Sequence, residues 1–252
     1  MKRQRLDVAL VERGLAETRS KAQSLIMARR VTVNGEYVDK AGAGVGGDDE
    51  IAIVALEHPW VGRGGMKLAH ALTEFGIDVR GKVCADVGAS TGGFTDVLLK
   101  NGAARVYAID VGYGQLDASL RNDPRVVNRE KVNARFLQAG DFDQPIDFVS
   151  TDVSFISLTN ILPAVAKFLS GQLVALIKPQ FEVGKSDVGK GGIVRDDAKR
   201  AAAVQRVVDF AAQFFEVKRV IESPIKGAEG NVEYLMYAVT DTRAIPPATT
   251  PA

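Results

Sequence analysis

The chain has 252 residues, 46% hydrophobic and 25% charged, a globular balance that excludes collagen-like, coiled-coil and wholly disordered readings and leaves room for one or two domains. Cys84 is the sole cysteine, and His58 and His70 are the only histidines, so neither an internal disulfide nor a structural zinc framework can be built. The net charge of +1 hides an asymmetry: residues 1–30 carry +5 and residues 31–252 carry −4, which suits either a polyanion-binding appendage on a near-neutral body or a solvated basic helix face.

In chain order, Leu6, Ala9 and Leu10 recur at helical spacing and stop at Gly14, a C-terminal cap. Thr18 is expected to cap a second helix that turns Ala22, Leu25 and Ile26 inward and carries Arg19, Lys21, Arg29 and Arg30 on its ends and outer face. Two strand-like runs then flank Asn34-Gly35, a hairpin signal over Val31–Val38. A loose stretch, 41–47, leads to a last strand, Ile51–Leu56. Two helices and a small sheet in about 55 residues make a marginal core of the kind RNA-binding appendages have.

These residues carry a resemblance. Arg5-Leu-Asp7, Gly14-Leu15, Thr18-Arg-Ser20, Ala22, Leu25-Ile26 and Val31–Gly35 resemble the S4 RNA-binding domain over residues 3–56. The resemblance implies a basic surface, for which Arg3, Arg5, Arg19, Lys21, Arg29 and Arg30 are the candidates, lying on the phosphate backbone of structured RNA.

Residues 57–64 read as a linker, with Pro59 restricting its neighbour and glycines ending regularity. Beyond it strands and helices alternate: helix 66–75, strand 83–87, helix 94–100, strand 105–110, a short helix near 116–120, and strands 126–128 and 148–151. Helix 158–168, strand 173–177, helix 196–212 and strands 215–222 and 232–239 follow. The expected fold class is α/β, a doubly wound Rossmann-like sheet covered on both faces, behind a small N-terminal α+β domain. The expected domains are 1–56 for RNA binding, 57–64 as linker, 65–243 for catalysis and 244–252 as a disordered tail.

The first strand of the larger domain ends in Asp86-Val-Gly-Ala-Ser-Thr-Gly-Gly-Phe94. Ligands of open α/β sheets sit at the carboxyl ends of strands, where glycine lets them approach the backbone. The loop is not GxGxxG and no P-loop lysine follows, which weakens dinucleotide and nucleoside-triphosphate readings. The next strand ends in Asp110, placed to accept hydrogen bonds from two ribose hydroxyls. A nucleoside without phosphates, such as S-adenosylmethionine, fits this pairing. The candidate cofactor residues are Asp86, Gly88, Ala89, Ser90, Thr91, Gly92, Gly93, Phe94, Asp110, Val111, Asn133 and Asp152, with Asp86 expected to favour the ammonium and sulfonium groups. The stretch Glu130–Asn133 either faces the adenine or is a plain loop.

Asp86–Phe94 resembles motif I of the FtsJ-like ribose methyltransferases. Asp110–Leu116, Leu120–Val126, Asp152-Val-Ser-Phe-Ile-Ser157, Lys178-Pro-Gln-Phe-Glu-Val-Gly184 and Gly230-Asn-Val-Glu-Tyr234 resemble the TlyA family, known both as hemolysins and as 2′-O-methyltransferases of ribosomal RNA. With the S4-like segment, the match runs from residue 3 to about residue 240.

Topology brings four of these side chains to one edge. Asp152 and Lys178 end the fourth and fifth strands. Glu233 begins a last strand expected to run antiparallel, and Lys67 opens the helix that feeds the first strand. The resemblance implies the same set, Lys67, Asp152, Lys178 and Glu233. A ribose 2′-hydroxyl holds its proton well above neutral pH, so methylating it calls for a base. Lys178 is the expected one, with burial and Lys67 lowering its pKa and the carboxylates opposing that shift. Asp152 would orient Lys178, and Glu233 would position Lys67 or the ribose. Cys84, within a strand, reads as a buried inert thiol. Phe181 and the loop 184–192, with Lys185, Lys190 and Arg195, form either an RNA clamp or a mobile surface loop.

The expected function is S-adenosylmethionine-dependent 2′-O-methylation of ribosomal RNA, the resemblance pointing to cytidine in 16S or 23S RNA, with ribosomal RNA or subunits as partner and no bound metal. Two rivals stand beside it. A membrane-active hemolysin meets the objection that the longest uncharged, largely apolar run, Val153–Ala166, has 14 residues where a span needs about 20. A non-catalytic ribosome-assembly factor would not need the four convergent charges. With no secretory signal at the N-terminus, a cytoplasmic location and no membrane partner are expected.

Overall fold

The chain divides into two compact units, with the boundary between Arg63 and Gly64. The computed structural model describes residues 3–27, 30–54, 58–184, 187–189, 191–227 and 230–240. Arg29, Leu56, Lys185, Lys190 and the expected tail 244–252 lie outside the described residues.

In the smaller unit β1 (Gln4–Arg5) leads into α1 (Leu6–Glu12), followed by α2 (Arg19–Met27), β2 (Val31–Val33), β3 (Glu36–Tyr37), β4 (Gly44–Val45) and β5 (Ile51–Ile53). Apolar positions three and four apart put Leu6, Leu10, Ala22, Leu25 and Ile26 into one core with Val31 and Val45. Thr18 Oγ1 accepts the Lys21 backbone N–H at 3.1 Å and caps α2. Asn34 and Gly35 both adopt positive φ, 53° and 83°, the pair of left-handed residues a two-residue hairpin requires. The three-stranded sheet runs β3-β2-β5. The stretch read as loose contains β4, which pairs antiparallel with β1.

The larger unit is an α/β sandwich. Its strands are β6 (Val83–Val87), β7 (Arg105–Ile109), β8 (Val126–Arg129), β9 (Ile146–Thr151), β10 (Leu169–Ile177), β11 (Phe215–Glu222) and β12 (Tyr234–Thr240). They form one sheet in the order β11-β12-β10-β9-β6-β7-β8. β12 is antiparallel to both neighbours, with Ile177 opposite Tyr234, and the β10-to-β8 pairings are parallel. The start of β12 therefore lies at the carboxyl end of β10. Order reverses at β6, whose neighbours are β7 and β9, so the loop after β6 opens at the switch point. The helices are α3 (Gly64–Glu74), α4 (Gly93–Lys100), α5 (Ala118–Arg121), α6 (Leu162–Val165), α7 (Pro179–Glu182) and α8 (Asp197–Ala211).

Four expectations shift. Gly64, expected in the linker, is the first residue of α3. The helix expected over 158–168 is a 3₁₀ turn at Leu158–Asn160 followed by α6, because Pro163 has no N–H to continue a helix back to Thr159. β10 begins at Leu169, four residues early, across a register shift before Gln172. Gly171 in that irregularity lies against the Asp147 carbonyl, where a side chain would collide. Glu233 precedes β12 instead of lying within it.

Candidate active site

The loop after β6 is shaped by close backbone approach. Gly88 has φ +87°, and a Cβ there would stand 2.6 Å from the Asp152 carbonyl oxygen, so only glycine fits. Gly88 and Ala89 donate backbone N–H groups to Ile109 O at 2.8 and 3.1 Å. Gly92, at φ +97°, leaves no room for a Cβ against Leu120 and Leu116, and Gly93 and Phe94 open α4. Thr91 O accepts the Asp117 N–H at 3.1 Å.

Asp86 lies beneath this loop, fully buried. It accepts hydrogen bonds from Thr95 Oγ1 at 2.7 Å and Ser150 Oγ at 3.3 Å. Burial pushes its carboxyl up to about 7 against those hydrogen bonds, and Asp152 adds to the rise. Through these bonds Asp86 ties α4 and β9 to the loop.

Asp110 stays partly exposed at the end of β7. Ser90 N donates to its Oδ2 at 2.8 Å and Gly112 N to its Oδ1 at 2.7 Å. Each oxygen keeps acceptor capacity for a further donor. Val111 beside it is 74% exposed. Asn133 uses Oδ1 to cap the following 3₁₀ turn through Arg135 N at 3.1 Å, which leaves its amide N–H groups. The Glu130 carboxyl is held below its usual range, chiefly by the Gly114 backbone N–H, so it closes the loop after Asp110 onto β8. A cavity of about 590 Å³ opens between residues 128–133 and Phe136–Asp141.

The four charged residues form two pairs. Lys67 Nζ lies 2.5 Å from Glu233 Oε2, both side chains buried, at 6% and 2% exposure. Lys178 Nζ lies 2.6 Å from Asp152 Oδ1 and donates to Ser154 Oγ at 2.7 Å. Gln180 Nε2, two residues after Lys178, donates to Glu233 Oε1 at 3.3 Å. Gly64, a turn before Lys67, sits where a Cβ would come 3.6 Å from Asp152 Oδ2. Gly227 makes room for Glu233, since a Cβ there would stand 2.5 Å from Oε1. Each buried cation thus has its own carboxylate, the condition for charge in a dry site.

Ser154, Gln180, Gly227 and Asn231 escaped the sequence reading of the site. Three of them stand inside quoted motifs, each two residues from a charged member. Asn231 is buried, accepts Val194 N at 3.0 Å and donates to Gly192 O at 2.8 Å, pinning the glycine-rich loop to the foot of β12. Phe155 is 92% exposed at φ 63°, a strained choice for a phenylalanine. Its ring lies 5.1 Å from that of Phe181, itself 6.0 Å from Lys178 Nζ. Cys84 is buried, its thiol pushed up to about 12 mainly by burial.

In the smaller unit Arg3, Arg5, Arg19 and Lys21 are exposed and Arg30 partly so, its Nε 3.4 Å from Val54 O. Arg5 and Arg19 share a buried carboxylate, Asp7. Arg13 spends its guanidinium on the carbonyls of Asp49, Gly46 and Gly47 and serves the fold.

The FtsJ-like methyltransferase family matches this chain over residues 60–239, and the S4 domain matches residues 4–51. A Mycobacterium tuberculosis protein named 16S/23S rRNA (cytidine-2′-O)-methyltransferase TlyA is 47% identical over 245 residues, 96% of this chain and 91% of the relative. Hemolysin A of Brachyspira hyodysenteriae is 48% identical over 242 residues, 93% of this chain and 99% of the relative. The solved structure of a candidate hemolysin from Streptococcus thermophilus superposes with a TM-score of 0.75 at 44% identity, covering 96% of this chain and 90% of that one.

Proposed function

The chain belongs to the FtsJ-like methyltransferases, and from that premise we propose that it methylates a ribose 2′-hydroxyl of ribosomal RNA, at a cytidine as in the M. tuberculosis relative. The observation that carries the reading is the double Lys–carboxylate pair at the sheet's carboxyl edge, beside a glycine loop keyed to the same strand end.

The residues at the switch point fit S-adenosylmethionine. Gly88 and Gly92 let the loop after β6 pack its backbone directly against Asp152 and against Leu116 and Leu120, and Asp110, fixed by two backbone N–H groups, keeps acceptor capacity for a ribose diol. The cofactor supplies an electrophilic methyl group on a sulfonium. Asp110, Val111 and Asn133 would hold its adenosine, and the loop 88–93 its amino-acid end.

Lys178 is the proposed general base. The Ser154 hydroxyl already docks 2.7 Å from its Nζ, at the separation a ribose hydroxyl needs for proton transfer. Having first released its own proton to solvent, Lys178 would take the 2′-hydroxyl proton as the ribose oxygen receives the methyl group and the bond between that methyl and the sulfonium sulfur breaks, and Asp152 would stabilise the ammonium that results. Glu233 holds Lys67, whose charge faces the oxygen from which the proton leaves. Phe155 offers an exposed ring to the target base, and the smaller unit supplies phosphate contacts. Two relatives carry hemolysin names; among the described residues of this chain no helix is long and apolar enough to cross a membrane.

Tritium transfer from labelled cofactor to ribosomal RNA tests the reading. Label is expected in an alkali-resistant dinucleotide, because 2′-O-methylation removes the nucleophile that alkali uses. Lys178→Ala is expected to abolish transfer while calorimetric cofactor binding persists. Label recovered in a methylated base would overturn the assignment.

A further inference from the structure

Asp7 contributes a negative charge to a surface otherwise suited to a polyanion, yet its carboxylate is completely buried. Buried charge persists only where it is paired. Here Arg5 Nε donates to Oδ1 at 3.0 Å and Arg5 Nη2 to Oδ2 at 3.0 Å, while Arg19 Nε and Gln23 Nε2 donate to Oδ2 at 2.9 and 2.8 Å. The Arg5 fork is the largest of the influences that hold this carboxyl far below the usual range, against the effect of burial.

We infer that Asp7 is a positioning residue that sets Arg5 and Arg19 side by side as a two-pronged seat for one phosphodiester group of the RNA backbone. Both guanidiniums stay about half exposed, at 51% and 56%. Two like charges sharing one carboxylate oxygen would otherwise repel, so the trio keeps a net positive charge concentrated at one point. Arg5 commits Nε and one Nη2 hydrogen, and Arg19 commits only Nε to Asp7. Their remaining donors are the planar N–H edges that match phosphate oxygens. Gly42 keeps the approach to Arg5 clear, since a Cβ there would come 3.1 Å from Nη1. The inference rests on the reading that the smaller unit binds RNA and adds to it a pre-organised geometry, which lowers the ordering cost of two long side chains.

The test turns on a sign. Charge counting says that Asp7→Asn, which removes an anion, tightens RNA binding. A positioning role says that it weakens binding. Filter binding of the full chain to transcribed ribosomal RNA across a potassium chloride series should show roughly tenfold weaker affinity for Asp7→Asn, the scale of one lost charge-assisted hydrogen bond. Its salt slope should fall by about 0.7–0.9, one phosphate contact. The double variant Arg5→Lys, Arg19→Lys keeps both charges on exposed side chains and should weaken binding comparably, so it decides the matter if Asp7→Asn does not fold by circular dichroism. Affinity for folded Asp7→Asn equal to or above that of the unmodified chain, or lysine variants within about twofold of it, would overturn the seat. If Arg5→Ala, Arg19→Ala also left affinity unchanged, the RNA-binding reading of this face would fall with it.

Discussion

Glu233→Gln isolates what the buried Lys67–Glu233 pair does. The change is nearly isosteric, so no cavity opens, and it leaves the Lys67 ammonium at 6% side-chain exposure without the carboxylate that stood 2.5 Å away. Stranding one member of a buried pair costs about 3–5 kcal/mol. For a unit the size of Gly64–Ala252, each 1 kcal/mol moves the melting midpoint by roughly 2–4 °C, so a fall of about 10 °C is expected. Scanning calorimetry of the full chain reads it directly. The double variant Lys67→Met, Glu233→Met removes both charges and should recover most of that loss, because an apolar pair of similar volume avoids the desolvation cost. Methyl transfer should stay absent in both. Stability regained without activity means that the pair is kept for chemistry and not for the fold. A Glu233→Gln midpoint within about 2 °C of the unmodified chain would refute the reasoning, since the ammonium would then have found water or another partner.

Three further outcomes are expected. Asp86, with its carboxyl raised to about 7, stabilises the fold fully below its ordinary value near 3.8 and loses that contribution as pH rises through about 7. The melting midpoint of the unmodified chain should therefore drop relative to Asp86→Asn between about pH 5 and pH 8, and parallel profiles would contradict the assignment. Phe155→Ala removes an exposed, strained ring, so stability should change by less than about 1 kcal/mol while kcat/KM for RNA falls about tenfold or more, the scale of one lost base-stacking contact; steady-state kinetics with cofactor binding as control would show it. Cys84, buried and with its thiol near 12, should resist a thiol-reactive dye in the native chain and label in step with global unfolding, and rapid native labelling would count against its burial.

Legibility in the sequence followed the physical strength of each signal. β6 and β11 were read to the residue, since strands five to eight residues long carry apolar and turn patterning across their whole length. β1 and β4 are two residues each and pair across about 40 residues of chain, too short for any periodicity to register. β10 was truncated because Gly171 breaks the strand pattern where a bulge needs it. The pairing of Lys67, Asp152, Lys178 and Glu233 at one edge was legible because the ends of strands and the start of the helix feeding them can be enumerated from the topology, and the resemblance implied the same set. Ser154 and Gln180 were not, because a neutral polar residue next to a charged one carries no signal until its partner is seen. Asp7 stands within the quoted Arg5-Leu-Asp7 run, but a tally of charges along the chain cannot show that it is the buried anchor of two cations.

One residue joins the two halves of the site. Asp152 donates its main-chain N–H to Val87 O at 2.9 Å, presses its carbonyl against the only kind of residue that Gly88 can be, and turns its carboxylate to Lys178 at 2.6 Å. The parallel registers Val87 with Thr151 and Thr151 with Ala175 carry that alignment across three strands. The proposed in-line transfer would demand that the methyl carrier and Lys178 hold position together, because a misplacement of about 1 Å can cost two orders of magnitude in rate. In that proposal a base on a separate loop would drift relative to the loop after β6. Asp152 follows β9 directly, and β9 lies between the strand that leads into the glycine loop and the strand that ends before Lys178, so one hydrogen-bonded ladder fixes both. The strongest constraint on the chemistry is thus the sheet register itself, and the charged side chains act from a frame that is already set.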